Sequence, residues 1–401
     1  MLQLLPYYVK RWYHFVKTGL LQGLPAQLST GFPNKKLIIT VITGTDGKTT
    51  TSSLLYHILK TGGKKVGLIS TVAAYIGAEE SDTGFHVTSP QPKDMFTFMR
   101  KMVNEGFTHL VLEATSHGMY QHRTWGVTPT YAGLTNISQE HLDYHLTYTE
   151  YVKAKLLLLR KAKTLYLNED DASLTTIKKL DKDLQYKLYS SQDKLTKTVK
   201  QAIEKRFPES YNQMNARLAT ALAQEQGVSD ADIAKAIESF PGVPGRMEVI
   251  TQKPVKVIVD FAHTPQGLES ALTALKAQKP NSKKLIAVFG CAGMRDTRKR
   301  PVMGKIATDL ADMAIFTAED PRTENVWSII RQMKEGVTQF DKVLSIPDRY
   351  SAISFAIKNV AQAGDTVVVL GKGHEQSMCF GRTEYDWSDS KAILKITGLE
   401  K

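Results

Sequence analysis

A strand-like run, Leu37-Ile38-Ile39-Thr40-Val41-Ile42, leads almost directly into Gly44-Thr45-Asp46-Gly47-Lys48-Thr49-Thr50, and a helical pattern follows. Backbone N–H groups of such a turn can cradle phosphate, and the helix N-terminus adds a favourable field. Lys48 is placed to reach the outer phosphates of a nucleoside triphosphate, and the Thr49 hydroxyl to help hold Mg²⁺. The spacing is tighter than the general phosphate-binding pattern, whose first glycine would fall at a position here occupied by Ile42.

Two further clusters bear chemistry. Glu113 closes the apolar run 109–113 and is followed by Ala114-Thr115-Ser116-His117-Gly118. In an open α/β sheet the C-terminal strand ends line the ligand crevice, and the Gly-rich turn lies on that same edge. Glu113 is therefore expected to ligate Mg²⁺ opposite Thr49. The stretch Thr135-Asn136-Ile137-Ser138-Gln139-Glu140-His141-Leu142-Asp143-Tyr144-His145 offers His141 as a metal ligand, and the helical pattern after Tyr148 carries Lys153 and Lys155.

These groups need a scaffold that brings strand ends together. From residue 37 to about 170, β-type runs (65–70, 109–113, 131–135) alternate with helical stretches, which argues for a parallel sheet with crossover helices. Residues 171–209 are polar and Lys-rich and read as a peripheral segment, and a helix follows from 212 to 223. Phe240-Pro241-Gly242-Val243-Pro244-Gly245 reads as a linker, with a hinge expected over 240–246 that closes the site against water. The rhythm then restarts with runs at 255–260, 284–289, 313–317 and 366–370. The expected fold is α/β: a central P-loop, parallel-sheet ATPase domain over 37–243 and a Rossmann-like α/β domain over 244–401.

The chain has 401 residues, 42% of them hydrophobic and 23% charged, the balance of an ordinary globular protein. Two cysteines, Cys291 and Cys379, give no disulfide framework and no metal-ligand spacing, which fits a cytoplasmic setting. The net charge of +12 is spread without an aromatic-interleaved basic motif, so it points to anionic small-molecule substrates rather than nucleic acid. In the extension 1–36, Leu5, Tyr8, Val9, Trp12, Phe15, Val16 and Leu20 recur at helical spacing among Lys10, Arg11 and Lys17. Docking of that helix on the protein's own surface is favoured over contact with a membrane surface. The apolar run is too short to span a bilayer. A monomer is expected.

The tight Gly44–Thr49 turn, Glu113-Ala114-Thr115-Ser116-His117 and the 135–155 stretch resemble, in order and spacing, the signatures of the Mur ligases, ATP-dependent amide-forming enzymes of peptidoglycan synthesis. So do Asn212 and Asn215, Pro244-Gly245-Arg246-Met247-Glu248, Asp260-Phe261-Ala262-His263-Thr264-Pro265, Arg295-Asp296 and Gly371-Lys372-Gly373-His374-Glu375. The resemblance is strongest to the members that add the third residue, meso-diaminopimelate or L-lysine, to UDP-N-acetylmuramoyl-L-alanyl-D-glutamate. It implies that ATP and two Mg²⁺ ions are used. Lys48 and Thr49 would contact phosphate, with Thr49, Glu113 and His141 on Mg²⁺. Lys155 would be carbamylated to hold the second ion, Asn215 would meet adenine, and Arg246, Asp260 and His263 would lie near the ribose and phosphates. Thr88, Ser89, Ser116 and Arg123 would line the muropeptide site, and Arg295, Asp320, Arg322, Gly371 and Glu375 the amino-acid pocket.

Two departures stand out. Residues 1–36 are too few for the separate domain that holds the uridine nucleotide in the third-residue ligases. The acceptor is thus expected to be held differently, by the aromatic N-terminal helix or by a partner, or to be another molecule such as a lipid-linked one. At Glu319-Asp320-Pro321-Arg322, diaminopimelate-adding members carry Asp-Asn-Pro-Arg, whose Arg binds the distal carboxylate. Arg322 favours a diacid through bidentate pairing, whereas Asp320 favours a distal ammonium; diaminopimelate is the preferred reading. A folylpolyglutamate synthase-like ligase and a non-catalytic nucleotide-binding scaffold or amidotransferase partner are the alternatives.

Overall fold

The computed structural model describes residues 4–71, 74–76, the backbone of 79–81, and 89–400. The chain divides into two compact units, Met1–Pro241 and Gly242–Lys401, two residues before the boundary expected from the Pro/Gly run.

The first unit is built on a sheet of strands β1 (Ile38–Thr43), β2 (Val66–Ile69), β3 (Ala74–Ile76), β4 (Glu79–Ser81), β5 (His109–Glu113), β6 (Tyr131–Leu134), β7 (Thr164–Asn168) and β8 (Lys187–Tyr189). Their order is β4-β3-β2-β5-β1-β6-β7-β8. All pairings from β2 to β8 are parallel, and β3 and β4 add an antiparallel edge. β5 is buried along its whole length and β1 everywhere except its first residue, as a sheet covered by helices on both faces requires. The core of this unit joins Ile39, Val41, Leu110 and Leu112 to Phe96, Met99, Tyr151 and Leu156 from the crossover helices. The polar segment after residue 171 folds as regular structure at the edge of the sheet. It supplies a helix (Ser173–Leu180), the strand β8 that extends the sheet, and a helix (Lys197–Arg206) whose Val199, Ala202 and Ile203 are buried. Its apolar positions are sparse, so composition masked them.

The order places a topological switch beside β1. β5 lies on one side and β6 on the other, with Ile42 opposite Glu113 and Thr43 opposite Leu134. The turns that leave β1, β5 and β6 therefore meet at one edge, and those turns carry all three chemical clusters.

The second unit has strands β9 (Glu248–Thr251), β10 (Lys256–Asp260), β11 (Leu285–Phe289), β12 (Met313–Phe316), β13 (Val343–Ser345) and β14 (Thr366–Leu370), ordered β13-β12-β11-β14-β10-β9. All pairs are parallel except β10 with β9. A hairpin of β15 (Ser377–Phe380) and β16 (Thr383–Asp386) follows. Again the C-terminal ends of β10, β11, β12 and β14 converge, bringing Asp260, Gly290, Thr317 and Gly371 to one edge.

Candidate nucleotide and carboxylate-activation site

Gly47 caps the helix Lys48–Thr61 at φ 78°, a left-handed conformation open to glycine. A Cβ there would lie 2.2 Å from the Asn215 side-chain oxygen, and one on Gly44 would lie 1.8 Å from the Thr135 hydroxyl. A side chain at either position would have to displace Thr135 or Asn215. The turn is tied down from β6: Thr45 N–H donates to the Asn136 carbonyl (2.9 Å) and Asp46 N–H to the Asn136 side-chain oxygen (2.9 Å). The Thr135 hydroxyl donates to the Asp46 carbonyl at 2.6 Å. Lys48 Nζ folds back onto the Thr45 carbonyl at 2.7 Å, and Thr50 sits half-buried in the first helical turn.

Beside this turn the Thr49 hydroxyl donates to Glu113 Oε1 (3.1 Å), which also accepts from the Thr71 hydroxyl (2.8 Å); the Thr71 N–H reaches Oε2 (3.2 Å). Glu113 is fully buried, yet these partners are neutral. A buried carboxylate among neutral donors suits a cation arriving with its ligand. Lys155 is also buried, and its Nζ donates to the Gly44 carbonyl at 2.5 Å. Burial and then the nearby Lys48 lower its pKa well below the ordinary lysine value. Such a lysine spends more time as a neutral amine.

His141 caps the short helix Leu142–His145 at φ 56°, with its ring 4.6 Å from that of His117. A non-glycine residue held in this region is characteristic of functional turns. Ser116 shares a hydrogen bond with His145 Nε2 (3.0 Å), and the Tyr7 hydroxyl, from the N-terminal helix, with His145 Nδ1 (2.9 Å). Burial, then His117 and Lys155, push His145 down to about 3, so it stays neutral. Arg123 donates to the Ser89 carbonyl at 2.7 Å, and the Ser89 hydroxyl meets that of Thr115 at 3.2 Å. Thr88 lies outside the described residues. Among the described residues no three His, Cys, Asp or Glu side chains form a ready metal-ligating group.

In the second unit, Asp260 accepts from the N–H groups of Met247 (2.7 Å) and Ala262 (2.9 Å), and Arg246 lies over the Phe261 ring at 4.2 Å. His263 Nδ1 donates to the Phe261 carbonyl at 2.9 Å. Along the same strand edge, buried Lys372 pairs with Asp320 (2.7 Å) and Glu375 (2.5 Å). Asp320 also accepts from the Cys379 N–H, and Arg322, at φ 51°, donates to the Gly293 carbonyl at 2.8 Å. Gly371, at φ 105°, passes Glu319 so closely that a Cβ would lie 3.3 Å from its carboxyl carbon. Arg295 is exposed on the loop after β11.

Several participants escaped the sequence reading. Thr71 and Tyr151 are single residues in unremarkable contexts; Tyr151 shares a hydrogen bond with Thr45 across 106 positions. Lys372 stood inside a quoted motif without an assigned role. The fully buried Arg349–Asp389 pair, whose guanidinium also binds the Ala318 and Leu370 carbonyls, secures the ends of β12 and β14. Only burial, invisible in a linear pattern, marks it.

This architecture is that of a P-loop α/β unit followed by a Rossmann-like α/β unit. Residues 42–226 match the Mur ligase middle domain and residues 245–373 the Mur ligase glutamate ligase domain. A UDP-N-acetylmuramoyl-L-alanyl-D-glutamate–2,6-diaminopimelate ligase of Clostridium botulinum is 36% identical over 366 residues, covering 86% of this chain and 74% of its own. The enzyme of the same name from Aquifex aeolicus is 34% identical, covering 94% and 80%. A solved structure of a ligase of that name superimposes with a TM-score of 0.60 at 28% identity, covering 93% of this chain and 82% of its own. A Mycobacterium tuberculosis folylpolyglutamate synthase gives 0.68 at only 14% identity, covering 88% and 92%, a likeness of fold alone. The chain belongs to the Mur ligase family, whose members are ATP-dependent amide-bond ligases.

Proposed function

We propose that this protein uses ATP to join the free carboxylate of a muramoyl-peptide acceptor to an amino acid, in peptidoglycan precursor synthesis. The observation that carries this reading is Lys155, buried with a lowered pKa against the carbonyl of the Gly-rich turn. A carboxylate does not condense with an amine at neutral pH. Transfer of the γ-phosphoryl group to it gives an acyl phosphate, which the amine attacks through a tetrahedral intermediate that expels phosphate.

In this reading the N–H groups of Gly44–Thr50 and Lys48 bind the phosphates and stabilise charge that grows during transfer. Thr49, Glu113, His141 and Lys155 would hold two Mg²⁺ ions, which when bound supply neutralisation of the phosphoryl oxygens. The neutral amine of Lys155 can add to CO₂ and lose a proton, becoming a carbamate, an anionic ligand in place of a repelling cation. Asn215 would meet the adenine, and Arg246, Asp260 and His263 the ribose and phosphates. Ser89, Ser116 and Arg123, with Thr88, would hold the acceptor peptide.

Diaminopimelate is the favoured amino acid. Asp320 is held by Lys372, which it shares with Glu375, by the Cys379 N–H and by Arg322 at 4.0 Å, so it faces cations of the protein, while the Arg322 guanidinium beside it can turn to a distal carboxylate. Arg295, Gly371 and Glu375 complete the pocket, and the protein would act as a cytoplasmic monomer. The test is phosphate release from ATP with UDP-N-acetylmuramoyl-L-alanyl-D-glutamate, with and without diaminopimelate. Release that depends on both supports the reading, and release with neither or with a pterin glutamate instead overturns it.

A further inference from the structure

Residues 5–30 form one continuous helical element, α-helical over Leu5–His14, π-helical over Phe15–Gly23 and α-helical again over Leu24–Thr30. Its amphipathicity is inverted. The face turned to the protein carries mostly small or polar residues, Thr18, Gly19, Gly23, Ala26 and Gln27, with buried Tyr7 and half-buried Phe15, which packs on His122, as its large anchors. Gly19 and Gly23 let the backbone press on Trp125, since a Cβ on either would lie 3.3 Å from the indole. Of the apolar side chains that the sequence suggested would dock, Phe15 and Leu20 are half-buried, but Leu5, Tyr8, Val9, Trp12 (66% exposed) and Val16 face solvent, joined by Leu21 (70%) and Leu28 (59%).

The π-helical middle explains how one stripe stays continuous. A π turn takes more residues than an α turn, so it resets the phase of the positions that follow. Leu21, Leu24 and Leu28 are thereby kept outward with Val9, Trp12 and Val16, while Gly23 and Ala26 stay inward with Tyr7.

The charge along the element itself has one sign, and the Glu150 that meets its Tyr8 is paired with Lys153. Lys10, Arg11 and Lys17 lie on the element, exposed Lys35 and Lys36 follow it, and no Asp or Glu precedes Asp46. Among the described residues no helix is long and apolar enough to cross a membrane. An apolar stripe with Trp and Tyr along it and cationic flanks matches a helix lying in the plane of a headgroup layer. A two-fold contact with a second copy would bring the same cations face to face, which is unfavourable.

We propose that residues 5–30 are a surface anchor that lies flat in the headgroup region of an anionic phospholipid bilayer. Tyr7 on the opposite face of the helix reaches His145, so the anchor is joined directly to the first unit rather than tethered through a linker. The proposal is independent of the ligase reading.

The experiment is flotation of the full chain with extruded vesicles, either phosphatidylcholine alone or phosphatidylcholine and phosphatidylglycerol in equal parts. Flotation is expected with the mixed vesicles only and should weaken as salt rises. Lys17→Glu should weaken binding at least roughly five-fold. The exposed pair Trp12→Ser and Leu21→Ser should abolish flotation while leaving the melting temperature unchanged. Absence of flotation with the mixed vesicles overturns the proposal, as does equal flotation of the double variant. A dimer in light scattering that the double variant dissolves, without vesicle binding, would assign the face to a second copy and equally overturn it.

Discussion

The Thr49 hydroxyl donates to Glu113 Oε1 at 3.1 Å, joining the first turn of the helix after β1 to the last residue of β5. Parallel pairing of the two strands, with Ile42 opposite Glu113, sets this contact. It places a buried carboxylate next to the phosphate-binding turn. Glu113→Gln keeps the shape and removes the charge. Ligase turnover is expected to fall by roughly 10²-fold or more, with a raised Mg²⁺ requirement and an unchanged fold. Mg²⁺ titrations of phosphate release check this, and a variant with wild-type Mg²⁺ dependence would remove Glu113 from the metal site.

Lys155→Ala should abolish ligation, and short carboxylates such as acetate or formate should restore part of it by standing in for the carbamate. In the intact protein, ¹³C-labelled bicarbonate should give a carbamate resonance that the variant lacks. Activity retained by Lys155→Ala would exclude the role.

Glu319 provides a pH signature. Burial raises its carboxyl to about 7, with Lys299 and Lys372 opposing and Glu375 and Asp320 adding to the rise. Because the folded pKa exceeds the unfolded one, the native state binds the extra proton between about 4.5 and 7, so this group's contribution to stability declines as pH rises through that window. Glu319→Gln is therefore expected to stabilise the protein by about 1–3 kcal/mol at pH 8, with the difference vanishing near pH 4. Thermal melts across this range decide it; an equal shift at both ends would contradict the assignment.

The α/β class and the convergence of Gly44–Thr49, Glu113 and Asn136 were legible because strand-length apolar runs end in chemical residues. Strand order cannot be read from such runs, yet it is what brings β5 and β6 to either side of β1. The short strands β3, β4, β8 and β13, at or next to the sheet edges, lacked a pattern long enough to register. The N-terminal helix was recognised, but its orientation was not: hydrophobic periodicity marks a face, and only packing against Trp125 shows that the face points outward.

Arg322 is held at φ 51° with one guanidinium nitrogen on the Gly293 carbonyl and another 4.0 Å from Asp320, a long contact that an incoming carboxylate can replace. Arg322→Ala is expected to raise KM for diaminopimelate by roughly 10–100-fold, equivalent to the loss of a charge-assisted pair, with a smaller effect on kcat. Steady-state kinetics with diaminopimelate and L-lysine side by side test this, and a variant equally impaired with lysine would argue against a carboxylate-reading role.

The central claim is that the γ-phosphoryl group passes to the acceptor carboxylate. It is tested most directly with an acceptor whose reacting carboxylate carries ¹⁸O, by mass spectrometry of the phosphate released in the presence of ATP and diaminopimelate. Passage through an acyl phosphate predicts one ¹⁸O in each phosphate formed, matched by an equal amount of amide product. Unlabelled phosphate would mean that water, not the carboxylate, receives the phosphoryl group, and would contradict the account.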